Sequence, residues 1–132
     1  MRLRRDTIRV EESAFFRCRL SLHRLPEKRG CAYVVWGTMP RKDLVVTKGE
    51  PRKIAYANRI RSFAACCGTH LFFEEAKNSE TIDVTIASLD DPRAFAPQKV
   101  IWLEDKLPWV TLNESLPSFP QTPNAAQATL NW

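Results

Sequence analysis

Cys66-Cys67-Gly68-Thr69-His70-Leu71-Phe72-Phe73 holds the densest set of reactive side chains in this chain, two adjacent thiols and an imidazole. Cys67-Gly68-Thr69 followed by a short apolar run looks like the second half of a zinc knuckle. Zinc takes thiolate and imidazole ligands, usually four in a structural site. The half-knuckle ligand expected three residues before Cys67 is Ala64. The frame of a zinc protein is therefore present with an incomplete ligand set. The remaining thiols are Cys18 and Cys31, and the other imidazole is His23. Without a secretory context, an even cysteine count is weak support for disulfides. Adjacent Cys66 and Cys67 are poorly placed to bond each other.

Each of these residues also has a plainer reading. Cys18 can be a small buried hydrophobe on a strand. Cys66 and Cys67 can simply pack a turn whose Gly68 allows an unusual backbone angle. Cys31, beside an apolar strand, reads as core. His70 reads as turn or strand surface. Trp36, Trp102 and Trp109 read as core or pocket wall rather than as stacking platforms for bases.

The 132 residues match the length of one domain. The net charge of +5 is unevenly placed. Residues 1–30 hold nine Lys/Arg against four Asp/Glu, and residues 31–132 hold eleven of each. Such a basic segment is either a solvated, Arg-rich sheet edge or an attractor for phosphate and small anions. No apolar run is long enough to span a membrane. Met1-Arg2-Leu3-Arg4-Arg5 is not followed by an apolar signal-peptide stretch, so the expected compartment is the cytoplasm.

The elements that must position these groups are short strands. Thr7–Val10, Ala14–Leu20, Leu44–Thr47 and Val100–Leu103 are β-prone. Ala32–Trp36 is a continuous apolar run suited to a strand buried on both faces, broken by Gly37-Thr38-Met39-Pro40. Lys53–Ala57 and Ile60–Ala64 read as a pair joined by Asn58-Arg59, and His70–Phe73 follows the Cys67-Gly68 turn. Ile82, Val84 and Ile86 alternate with Asp83 and Thr85, the pattern of a half-buried strand. Asp90-Asp91-Pro92-Arg93-Ala94-Phe95 reads as a helical turn with an acidic cap and proline at its first position. Strands at roughly ten-residue spacing predict an all-β sandwich or barrel-like fold. Residues 121–132 read as a loose tail after a single domain spanning 1–120.

Several motifs, in order, resemble one family. They are Ala32-Tyr33-Val34-Val35-Trp36, the Thr47-Lys48-Gly49-Glu50-Pro51 turn, Phe63 through Phe73, and Ser88-Leu89-Asp90-Asp91-Pro92. Ile101-Trp102, Lys106-Leu107-Pro108-Trp109 and Leu116-Pro117-Ser118-Phe119-Pro120 complete the series. Residues 32–120 thus resemble the glutathione-dependent formaldehyde-activating enzymes, a family that includes centromere protein V. The resemblance implies an all-β, Mss4-like arrangement of short antiparallel sheets with little helix, gathered around zinc. It implies carbon–sulfur lyase chemistry, the reversible union of formaldehyde and glutathione. It also implies two zinc sites, a structural one at the knuckle and a catalytic one with an open position.

This chain departs from that pattern at the ligands. Leu3 and Arg5 stand where the family's first cysteine pair falls, and Ala64 replaces one knuckle cysteine while Cys67 keeps the other. Cys66 is an extra thiol beside it. Aligned with the family's catalytic cluster, Cys18-Arg19-Leu20-Ser21-Leu22-His23-Arg24 places Cys18 and His23 at ligand positions and Leu20 at a third. An ungapped count back from Trp36 falls instead on Leu20, Leu22 and Leu25. The first alignment is preferred because Ser21, Leu22 and Arg24 then also agree. It makes Cys18 and His23 the candidate catalytic pair, and Cys18, His23, Cys66 and Cys67 the candidate metal ligands. A third ligand beside Cys18 and His23 would come from Cys31, Cys66 or His70. Arg24 is the candidate partner for a glutathione carboxylate.

The expectation is a divergent family member with a partial or absent zinc site and weakened or lost activity, still able to bind glutathione or a similar thiol adduct. A remodelled, working lyase is the second reading. The third is a non-enzymatic binding module whose basic first thirty residues take nucleic acid or a protein partner.

Overall fold

The computed structural model describes residues 7–10, 17–21, 30–77 and 79–122. The described chain is built from nine short strands and single turns of 3-10 helix. The strands are β1 (Thr7–Val10), β2 (Arg17–Ser21), β3 (Val34–Pro40), β4 (Leu44–Lys48) and β5 (Arg52–Tyr56). They continue with β6 (Arg59–Phe63), β7 (His70–Glu75), β8 (Thr81–Thr85) and β9 (Lys99–Ile101). The all-β expectation therefore holds. β1 and β4 form a two-stranded sheet, and the others form a seven-stranded sheet in the order β5-β6-β7-β8-β3-β2-β9. All pairings are antiparallel except β2 with β9.

Alternation decides the two faces. Ile82 and Val84 on β8, Phe72 on β7 and Met39 on β3 are buried and join Leu44, Ala64 and Leu71 in one apolar cluster. A bulge at the start of the β6–β7 ladder places Ser62 opposite Phe72 and Phe63 opposite His70. The extra residue, Leu71, joins Phe72 in the core. The opposite face carries an aromatic layer. The Trp36 ring meets His70 edge-on at 5.2 Å and Phe73 at 4.6 Å. The His70 ring also stacks on Phe63 at 4.8 Å. A second cluster forms around Val100 and Val110, with Trp102, Leu103, Leu107, Leu112 and Leu116 against it. There the Val100 amide donates to Pro117 and the Phe119 amide to Val100, so the 116–121 segment runs beside β9. Lys106 donates through Nζ to the Val110 carbonyl at 3.1 Å, pinning that loop.

Four expectations need correction. Gly37-Thr38-Met39-Pro40 continues β3 instead of breaking it. Gly37 pairs with Val84 and Cys18, Thr38 Oγ1 donates to Asp83, and Pro40 sits at the strand end where a missing amide is tolerated. The β5–β6 hairpin turns on Ala57-Asn58, one residue earlier than read, because Ala57 takes the positive φ of 52° that a two-residue loop requires. The Val100–Leu103 strand ends at Ile101, because Trp102 has a φ of 59° and leads into a 3-10 turn. The turn at Pro92–Ala94 has proline at its start as expected, but Asp91 makes no cap bond and instead accepts from Arg93 at 3.2 Å.

Replacing Ile82 by alanine is expected to cost about 2–5 kcal/mol, the range for a large-to-small change in a dry core. Ile54→Ala, at a side chain 57% exposed, is expected to stay within about 0.5 kcal/mol. Urea unfolding followed by tryptophan fluorescence checks both.

Candidate functional site

The knuckle region joins β6 to β7. The Ala64 amide donates to Thr69 at 2.8 Å, and the Cys67 and Gly68 amides donate back to the Ala64 carbonyl at 3.4 and 2.8 Å. Gly68 has a φ of 74°, which a side chain would strain. The loop is thus closed by its own backbone. Cys66 and Cys67 are both exposed on it. The Cys67 sulfur lies 3.2 Å from Thr69 Oγ1.

Ala64 itself is 7% exposed and belongs to the apolar cluster with Phe72 and Val84. A methyl group has no lone pair for a metal, so the described part of the knuckle does not fit a four-ligand zinc site. Among the described residues no three His, Cys, Asp or Glu side chains group to hold a metal.

Cys18 stands in β2 opposite Gly37, which pairs with Val84, which pairs with Phe72. The backbone of Cys18 is thus three strand spacings from β7 along the sheet, on the order of 14 Å. His23 and Arg24 lie outside the described residues. The structure brings Cys66 and Cys67 together on one turn and places Cys18 in a separate strand.

Two further residues differ from their sequence reading. Cys31 is exposed rather than core, because it falls in the Gly30 turn before β3 begins. His70 is an aromatic spacer between Phe63 and Trp36 rather than a surface group. Trp36 is core, whereas Trp109 is 73% exposed.

Sequence reading missed a groove beside the knuckle. It is lined by Arg41, Glu50, Arg52, Lys53, Ala65 and Phe72, among others, and has a volume of about 960 Å³. Val46, Pro51 and Ile54 give it apolar walls. Among its described lining residues are three cations, Arg41, Arg52 and Lys53, and one carboxylate, Glu50. Arg41 also donates through Nε to Glu74 at 2.7 Å. On the other side, a cavity of about 340 Å³ is lined by Glu74, Glu75, Glu80 and Asp83. Three of these carboxylates are already engaged, by Arg41, Arg59 and Thr38.

Gly68→Ala tests the knuckle geometry. No atom lies within 4 Å of the added methyl, so the cost comes from the backbone alone. A loss of about 1–2 kcal/mol is expected, the penalty of left-handed backbone for an alanine, read by urea unfolding.

Comparison with known proteins places this arrangement. A sequence profile described as glutathione-dependent formaldehyde-activating enzyme matches residues 13–105. The match takes in β2 with Cys18, the knuckle and β9, and begins after Leu3 and Arg5. No curated protein matches the chain significantly. A crystal structure of a Rhodobacter sphaeroides protein has a similar fold, with a TM-score of 0.53 and 23% identity over 68% of this chain and 86% of that one. The profile spans well over half of the sequence, and this chain belongs to the glutathione-dependent formaldehyde-activating enzyme family.

Proposed function

We propose that this chain is a divergent family member that keeps the fold and the capacity to bind a glutathione-type thiol, with carbon–sulfur lyase activity weak or lost. The observation that carries this reading is Ala64. Where the family has a knuckle ligand, this chain has a methyl group packed into the core. The turn also closes on its own backbone hydrogen bonds, which supports a fold kept with an incomplete ligand set.

The reaction of the family adds a glutathione thiolate to formaldehyde. A carbon–sulfur bond forms, the carbonyl oxygen takes a proton, and the reverse step releases both. A thiolate does this readily by itself, so a protein contributes mainly by binding and orienting the two reactants. In this chain the residues proposed for that work are Cys18 and His23 in the reacting region, with Arg24 holding a carboxylate of glutathione. Cys18, His23, Cys66 and Cys67 are the groups that would meet zinc, and at the knuckle only the last two are present. No helix among the described residues is long and apolar enough to cross a membrane. We place the protein in the cytoplasm, where reduced glutathione is abundant.

Elemental analysis of purified protein is expected to find well under about one tightly bound zinc per chain. Stoichiometric zinc that Cys67→Ser removes would overturn this reading. Adduct exchange between formaldehyde and glutathione is expected to be slow, to rise on adding zinc and to fall in Cys18→Ala. Strong turnover independent of zinc and unchanged in Cys18→Ala would sink the assignment to Cys18. Glutathione binding is expected to persist in Cys18→Ala, measured by calorimetry.

A further inference from the structure

We infer that the Cys66–Cys67 pair and the basic groove beside it form a thiol–disulfide exchange site for an anionic disulfide of the glutathione type. The inference rests on the glutathione reading above and gives that ligand a second location, away from β2.

Three observations converge. First, the groove carries Arg52 and Lys53; Arg41 is held by Glu74, and Glu50 is the carboxylate among its described lining residues. Among the described residues Arg52 and Lys53 enter no ion pair, so their charge faces solvent and an incoming anion. Second, the groove is lined by Ala65, and Cys66 follows it directly, its Cα only about 3.8 Å further along the chain. Both thiols are exposed. Third, Thr69 Oγ1 sits 3.2 Å from the Cys67 sulfur and can donate its proton to a thiolate there. Reactive cysteines are found in such electropositive, accessible surroundings. The closed backbone of the turn holds the pair in place while it reacts.

Oxidised glutathione suits this site because it carries a net negative charge in carboxylates on both sides of its sulfur–sulfur bond. Arg52 and Lys53 hold the carboxylates while Val46 and Ile54 cover the peptide stem. A thiolate of the pair attacks one sulfur of the disulfide. A new sulfur–sulfur bond forms to the protein and the old one breaks. The second glutathione leaves as a thiolate and takes a proton from water. The protein sulfur is oxidised and the released half is reduced, so the electrons balance within oxidised glutathione and the chain. Reduced glutathione reverses the step.

Cys31 is an internal control, since it is also exposed but lies in the turn before β3 and is not a chain neighbour of a groove-lining residue. The full-length reduced protein is mixed with oxidised glutathione at low salt, with a chelator present, and thiol loss is mapped by peptide mass. The Cys66–Cys67 peptide is expected to react about tenfold faster than Cys31, a modest figure for electrostatic focusing of a charged reactant. Arg52→Glu combined with Lys53→Glu is expected to remove that advantage, while reaction with neutral hydroxyethyl disulfide stays within about twofold of wild type. Circular dichroism confirms that the double variant folds. Equal rates at Cys31 and at the pair, no reaction at the pair, or a rate that survives the charge reversal would each overturn the inference. Failure here and failure of the family reaction are separable. A silent lyase assay with charge-dependent labelling removes catalysis alone, and turnover with charge-independent labelling removes the groove alone.

Discussion

The dry surface made by Phe72, Val84, Ile82 and Met39 is the constraint on which the remaining structure hangs. These side chains come from three neighbouring strands and meet Leu71 of β7, Leu44 of β4 and Ala64 of the knuckle. Burial of each large aliphatic side chain is worth about 1.5–3 kcal/mol, which makes this patch the main source of stability in so small a domain. It fixes the register of β7, β8 and β3, because a one-residue slip would turn Val84 and Phe72 to the other face. It also fixes the knuckle. Ala64 sits in the patch, so the turn that begins there is tied to the core whether or not a metal binds.

The aromatic layer on the opposite face depends on the same register. Trp36, His70, Phe63 and Phe73 meet because the β6–β7 bulge sends His70 and Phe73 to one side and Leu71 and Phe72 to the other. Further out, the Arg59 guanidinium lies 5.8 Å from the Phe73 ring and Arg61 lies 5.5 Å from Tyr56. Arg59 also bonds Glu75 at 2.7 Å, an exposed pair of small energetic weight. These arginines are structural neighbours of aromatic rings before they are charges for a ligand. The groove cations Arg52 and Lys53 differ in having no such ties to described carboxylates.

Much of the fold was legible because period-two alternation is a direct image of a sheet with one dry face. Ile82 and Val84 announced β8 in this way. The reading failed where one residue carries two meanings. Gly37 and Pro40 usually punctuate, yet here Gly37 pairs on both sides and Pro40 merely ends the strand. Asn58 promised the start of a turn, but the positive φ fell on Ala57, a choice made by strand register rather than by local preference. The charge reading was displaced too. Residues 31–132 are neutral in sum, which hid the sorting of Arg52 and Lys53 to one groove and of Glu74, Glu75, Glu80 and Asp83 to another cavity. Sums along a chain cannot register a separation made by folding. The knuckle thiols were legible from Cys67-Gly68-Thr69, whereas the exposure of Cys31 followed from where β3 starts.

The knuckle turn is closed by its own backbone. The Ala64 carbonyl accepts two amides and its own amide donates to the Thr69 carbonyl, so three backbone hydrogen bonds hold the turn. Gly68 supplies the backbone angle, and the core supplies the anchor. Fold stability and thiol chemistry are then decoupled. Cys67 is exposed on that turn and lies outside the core that fixes β7. Replacing Cys67 by serine should therefore disturb reactivity far more than folding. That separation is what a site needs if its chemistry is to drift while the sheet beneath it stays the same.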